Sequence, residues 1–186
     1  MATETTADAA IVLPDNQAGN VQVSYVEGGP GTNINLAAST TDGVVAVAGP
    51  VNVTGEAAKN FTFTFTRSAE LTVENKLRNS KIVAGNGDDS VGFVAGSTLK
   101  DTVTKLDAGQ DSVTFGGKIE SAKVRMGADG EADVIDVESL KKIKSDKGLV
   151  IREFGAEDEL IVNGKSYTSD NVGKADFKDK IIVKFD

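Results

Sequence analysis

The chain has 186 residues with 28 acidic and 20 basic side chains, a net charge of −8, so nucleic-acid backbones and anionic membranes would repel it on average. It contains no Cys and no His, which removes disulfides, thiol chemistry, the usual zinc ligand sets and imidazole-based acid–base or triad catalysis. Carboxylates, Lys, Ser and Tyr remain, but with two Tyr and no Trp the sugar-stacking carboxylate groove of a polysaccharide-cleaving enzyme is not expected, and the chain is read as a non-enzyme.

The opening "MATETTADAAIVLPD" has neither a basic n-region nor an apolar h-region, so no secretory signal is expected. No apolar run approaches membrane-spanning length. Strand-like stretches follow at 20–26 ("NVQVSYV") and 42–55 ("DGVVAVAGPVNVTG"), separated by the loop "EGGPGTN". Residues 1–58 are rich in Ala, Thr, Gly and Val and show no repeat. They are expected to form an N-terminal arm, whose first dozen residues reach a partner, and a small β cap.

From residue 59 onward the chain repeats itself. Asp-x-apolar-x-apolar occurs at Asp89-Ser-Val91-Gly-Phe93, Asp111-Ser-Val113-Thr-Phe115, Asp133-Val-Ile135-Asp-Val137, Asp158-Glu-Leu160-Ile-Val162 and Asp179-Lys-Ile181-Ile-Val183. A version without Asp precedes them, Ala69-Glu-Leu71-Thr-Val73. The anchors at 69, 89, 111, 133, 158 and 179 are thus 20, 22, 22, 25 and 21 residues apart. A second apolar stretch precedes each anchor, and "FTFTFT" (61–66) alternates with a period of two, the mark of a strand with one face inward. Strand, Gly/Asp-rich corner, strand, connector, repeated about every 20 residues, predicts an all-β fold: a β-solenoid (parallel β-helix-like) of about six coils over 59–186. A sandwich of short hairpins is the competing architecture. The longest step carries an insertion, "ESLKKIKSDKG", whose Lys141, Lys142, Lys144 and Lys147 belong either to a basic docking patch or to a solvated loop or short helical turn.

The corner "AGNGDDSVG" (84–92) resembles the Gly-Gly-x-Gly-x-Asp-x-apolar-x nonapeptide of the haemolysin-type (RTX) calcium-binding β-roll. Gly85, Gly87, Asp89 and Val91 fall on the motif and Ala84 departs from it; "LDAGQDSVT" (106–114) is a partial copy with Asp107 in a glycine position. The resemblance implies calcium between stacked corners, with Asp89, Asp111 and Asp133 as candidate ligands beside Asp88, Asp107 and Asp129. Calcium needs six to eight oxygens, and stacked carboxylates repel unless a cation relieves them. The other reading is turn geometry alone, Asp bonding nearby backbone and Gly accepting positive φ.

Taken whole, the unprocessed "MATETT" start, the Gly/Thr/Val/Asn/Ala bias, the extended N-terminal region and the compact solenoid resemble the small cysteine-free β proteins that decorate the heads of tailed bacteriophages or form their appendages. That resemblance implies a virion component that decorates or cements a capsid, partnered by capsid protein or by other copies of itself, most simply a trimer, with no nucleic-acid or membrane partner. The alternative is a secreted or cell-surface RTX-like adhesion repeat.

Overall fold

The structure, a computed structural model, describes residues 4–5, 11–13, 21–27, 33–36, 40–144 and 148–185. It is a parallel β-solenoid. Each turn contains three short strand segments, and like segments of successive turns pair in parallel. On face A, residues 57–59 pair with Lys76–Arg78, these with residues 98–100, and residues 98–102 with 118–122. On face B the order is residues 62–64, Lys81–Val83, 103–105, 122–125, Leu149–Arg152 and Ile181–Val183. On face C it is residues 70–73, Ser90–Phe93, Ser112–Phe115, Val134–Val137 and Glu159–Val162.

Alternation decides which side chains go in. The four strands of face C from Ser90 onward share one pattern, with every second residue buried, as strand geometry requires. Parallel register then stacks like on like: Val91, Val113, Ile135 and Leu160 form one inward column, and Phe93, Phe115, Val137 and Val162 the next. The Phe93 and Phe115 rings lie nearly parallel, 5.2 Å apart at 11°. Phe61, Phe63 and Phe65 fill the interior behind face B. Each such side chain contributes roughly 1.5–3 kcal/mol through burial, and together they form one continuous core.

The corner from face A to face B needs a left-handed residue, and the sequence supplies Asn60 (φ 59°), Asn79 (φ 48°) and Asp101 (φ 53°) on three successive turns. Asn and Asp are the non-glycine residues that tolerate this region best.

Two expectations change. The parallel ladder does not begin at residue 59. Residues 43–47 of the strand Thr40–Gly55 pair with 61–65, and residues 49–53 with 69–73. Val21–Glu27 and Asn33–Leu36 pair on Thr40–Gly55 in turn. The expected division at 58/59 therefore falls inside the stack, and these strands are rungs rather than a separate cap. The repeat was hidden there because Gly49 rather than Asp occupies the anchor position aligned with Ala69, and because Gly43 stands opposite Phe61: a Cβ on Gly43 would lie 2.3 Å from the Phe61 ring, so the glycine makes room for the aromatic of the next turn. Of the expected arm, Glu4–Thr5 and Ile11–Leu13 are strands paired to residues 25–26 and to Asn33–Leu36, and residues 1–3 and 6–10 lie outside the described residues.

The second change concerns Asp179. Ile181 pairs with Leu149 on face B, not with Leu160 on face C. Asp179 itself is exposed with φ 56°, so it does not continue the aspartate column, and Val183 is only half-buried. The chain leaves face C before this point and rejoins the stack on face B alone. Asn163 and Gly164, both at positive φ, turn Glu159–Val162 into an antiparallel hairpin with Lys165–Tyr167, the two-residue loop that Asn-Gly favours. Tyr167 then meets Phe177 edge-on at 5.2 Å, and buried Val172 and Phe177 close the end of the core.

The insertion after Val137 forms a 3-10 turn, Leu140–Lys142. Its Ile143 is buried and bridges to Ile119, which extends the inward column of face A, and Lys142 Nζ donates to the Gly116 carbonyl. Lys141 and Lys144 are exposed, and Lys147 lies outside the described residues.

Val113 is fully buried at the middle of its column. Val113→Asp places an unpaired charge there, which is expected to cost more than about 4 kcal/mol. The outward Thr114→Asn, which adds no charge beside its neighbour Asp136, should change stability by no more than about 0.5 kcal/mol. Thermal unfolding followed by circular dichroism distinguishes the two, and equal melting would show the register to be wrong.

Candidate functional site

The corner from face B to face C carries the motif singled out in the sequence. Gly87 and Gly109 adopt φ 123° and 122° and lie one above the other. A Cβ on Gly109 would approach the Gly87 carbonyl carbon and oxygen to 2.6 Å, so backbone packs on backbone and only glycine fits. Asn86 and Ala108 form a parallel bridge beside them.

At the end of this corner the aspartates bind backbone. Asp89 Oδ1 accepts from the Ala69 N–H at 2.7 Å, Asp111 Oδ1 from Asp89 N–H at 2.8 Å, Asp133 Oδ1 from Asp111 N–H at 2.9 Å, and Asp158 Oδ1 from Asp133 N–H at 3.1 Å. Each anchor carbonyl meanwhile accepts the N–H one residue further along in the next turn: Ser112 to Asp89, Val134 to Asp111, Glu159 to Asp133. The anchor N–H is thus the last donor before face C without a main-chain acceptor, and the carboxylate of the following turn supplies one. In Asp89 and Asp158 the second oxygen also accepts, from Gly85 N–H at 3.2 Å and Gly155 N–H at 2.7 Å. Asp111 Oδ2 is buried with no partner.

All four carboxylates are buried, and their acidities follow. Burial pushes Asp111 up to about 6, opposed by its bond from the Asp89 N–H and assisted by the charges of Asp89, Asp129 and Asp88. Burial pushes Asp133 up to about 7, with Asp111, Asp158 and Asp129 adding repulsion. Asp89 and Asp158 are also raised, mainly by burial.

The six candidate ligands separate into two layers. Asp89, Asp111 and Asp133 sit in the buried ladder. Asp88, Asp107 and Asp129 lie outside it, Asp88 accepting from Gln110 N–H at 3.0 Å and Asp107 pairing with Lys105 at 3.1 Å. Asp129 accepts from Gly109 N–H at 2.9 Å, which holds its carboxyl below the usual range. Among the described residues no group of three or more acidic side chains converges as metal ligands. The groove beside the corner, about 440 Å3, is lined by Ser68, Glu70, Asp88, Ser90, Gln110 and Ser112 among others. No family model matches the chain, and no curated protein or solved structure matches it.

The Asp anchors were visible in the sequence as a pattern; their action across turns was not, because a 22-residue separation carries no local signal. The closing hairpin did have one, Asn163-Gly164 between apolar residues.

Because the folded carboxyls of Asp111 and Asp133 bind protons more tightly than the ordinary value of 3.8, the native state holds more protons than the unfolded chain between about pH 4 and 7. Stability from this source is full below about pH 4 and falls as pH rises through 6 to 7. Melting temperature should therefore decline from pH 5 to pH 8, and Asp133→Asn, which keeps an accepting Oδ1, should flatten that decline. An unchanged slope in the variant would remove the ladder as its source.

Proposed function

We propose that this chain is a non-enzymatic structural protein, built into a multi-subunit particle as a capsid-decorating or cementing component of a bacteriophage virion. The observation that carries the reading is the inequality of the two ends. The last turn is closed by the hairpin Glu159–Tyr167 and by Val172 and Phe177. At the other end, among the described residues, Glu4–Thr5 pairs only with Val21–Glu27, and Ile11–Leu13 only with Asn33–Leu36. A strand edge with free N–H and C=O groups is a template for another chain. Capsid protein, or further copies of this chain gathered as a trimer, would satisfy it. A stack of turns with one continuous core from Ile34 to Ile181 suits a spacer or plug between subunits. No helix among the described residues is long and apolar enough to cross a membrane.

The chain should be present in purified virions made by the genome that encodes it, and should co-sediment with assembled particles. Deleting residues 1–13 should abolish co-sedimentation while the melting of the downstream turns stays within a few degrees. Retention of binding by the truncated chain would overturn the assembly reading.

A second reading, an RTX-like calcium-binding surface repeat, rests on the buried, unpartnered Asp111 Oδ2. If calcium binds the native state there, stability rises as RT ln(1 + [L]/Kd). A chelator would then lower the melting temperature by several degrees in the parent and leave Asp111→Asn unchanged. Equal melting with and without chelator rejects it.

A further inference from the structure

The acidic charge of the chain is not spread evenly. Residues 1–58 contain no Lys or Arg, and the face B to face C corner exposes Asp88, Asp129, Glu131 and Glu157. The cations gather on the outer side of faces A and B. Parallel register places Lys59, Arg78 and Lys100 in one exposed column on successive turns. Lys76 and Lys118 flank it, each paired to Thr98. Around the adjoining corner Lys105, Arg125 and Arg152 form a second column, beside a shallow groove of about 570 Å3 lined by Asn79, Lys81, Val103 and Lys123 together with the carboxylate of Asp101.

Stacking like charges at the strand spacing of about 4.8 Å costs stability in the free protein. Part of the cost is relieved internally, since Lys105 pairs with Asp107, Lys118 with Glu120 and Arg125 with Glu153. Within the described residues Lys59, Arg78, Lys81 and Lys123 form no ion pair. A column of cations of which Lys59 and Arg78 form no ion pair, with Lys100 acting on Glu120, regular from turn to turn and bordered by hydroxyl and amide groups (Thr98, Ser121, Asn79) as well as by Asp101, is complementary to a linear polymer with regularly spaced negative charge.

We propose that faces A and B bind a linear acidic polysaccharide, one bearing carboxylate or sulfate groups, laid along the rod axis over Lys59, Arg78 and Lys100. The surface favours a glycan over nucleic acid for two reasons. Phe61, Phe63 and Phe65 all point inward, so the described outer side of faces A and B offers no aromatic on which a base could stack. Duplex DNA carries one charge per about 1.7 Å, a density that the neighbouring acidic edge would repel. Recognition here is by charge and hydrogen bonding, without sugar stacking, and stands independently of the assembly reading.

The test is calorimetric titration of the full chain with a heparin-derived octasaccharide and with an oligogalacturonate of equal length, at low salt. Both should bind, with affinity falling as salt rises. Lys59→Gln/Arg78→Gln/Lys100→Gln should weaken binding by about tenfold or more through lost charge contacts, and it should melt at or above the parent temperature because the stacked repulsion is gone. Lys174→Gln/Lys178→Gln, at the closed end, should bind like the parent. Should the triple variant fold poorly, Arg78→Gln alone must still reduce affinity measurably. The proposal is overturned if neither oligosaccharide binds, if the folded variants bind like the parent, or if a DNA duplex of matched length binds as tightly.

Discussion

Everything in this fold depends on one backbone donor per turn. Where the chain leaves the Gly/Asp corner and enters face C, the anchor N–H points toward the next turn and finds no carbonyl in register. A buried donor left unpaired costs about 1–3 kcal/mol, and the solenoid would repeat that cost at every turn. The carboxylate of the following anchor removes it, four times in succession from Ala69 to Asp133. The corner glycines serve the same end. They let the loops of adjacent turns approach closely enough, backbone over backbone at Gly87 and Gly109, for an aspartate side chain to span the gap.

That bond also sets register. A parallel strand that slips by one residue turns its inward set outward, and the face C columns differ little between turns: Val91, Val113, Ile135 and Leu160 are near equivalents. Apolar packing alone distinguishes such neighbours weakly. An aspartate that reaches only the anchor of the preceding turn distinguishes them strongly, since a slip would bury a carboxylate without a donor. The raised pKa values of Asp111 and Asp133 reflect the burden of this device: burial makes protonation easier than for an exposed carboxylate, and the bonds from backbone N–H only partly offset it.

How far the sequence revealed this follows from the same physics. Face C was legible because a two-residue period survives in four consecutive strands behind a fixed Asp. Face A was nearly invisible, its segments only three or four residues long, with Leu77, Leu99, Ile119 and Ile143 as single inward residues. The N-terminal turns escaped because no Asp marks their anchor, where Gly49 aligns with Ala69, and because Gly43 stands opposite Phe61. Asp179 misled in the opposite direction. Asp-x-apolar-x-apolar fits any strand after a turn, and nothing local records that the chain had already reversed at Asn163 and Gly164. Asp89, Asp111 and Asp133 share one phase and stack in the buried layer, while Asp88 and Asp129 bond across turns from an outer one; depth is a property that a one-dimensional pattern does not contain.

The same repetition that builds the core also decorates its surface. In a parallel coil any residue type that recurs at one phase becomes a column, so an interior of Val and Phe and an exterior of Lys and Arg arise from one rule. Inside, columns are favourable because apolar groups gain by stacking. Outside, a column of cations is a cost in the isolated molecule, and Asp107, Glu120 and Glu153 answer it only for some of its members. Other acidic residues line the corner that follows face B, where Asp88 and Asp129 are engaged by the N–H groups of Gln110 and Gly109 and so are held away from the lysines of face A. Carboxylates also sit on the basic faces, Asp101 next to Lys100 and Glu120 against Lys118, so each column is partly neutralised from within its own strands. An anionic partner laid along successive turns would meet the cations that these internal pairs leave over, and attraction there is local to those columns.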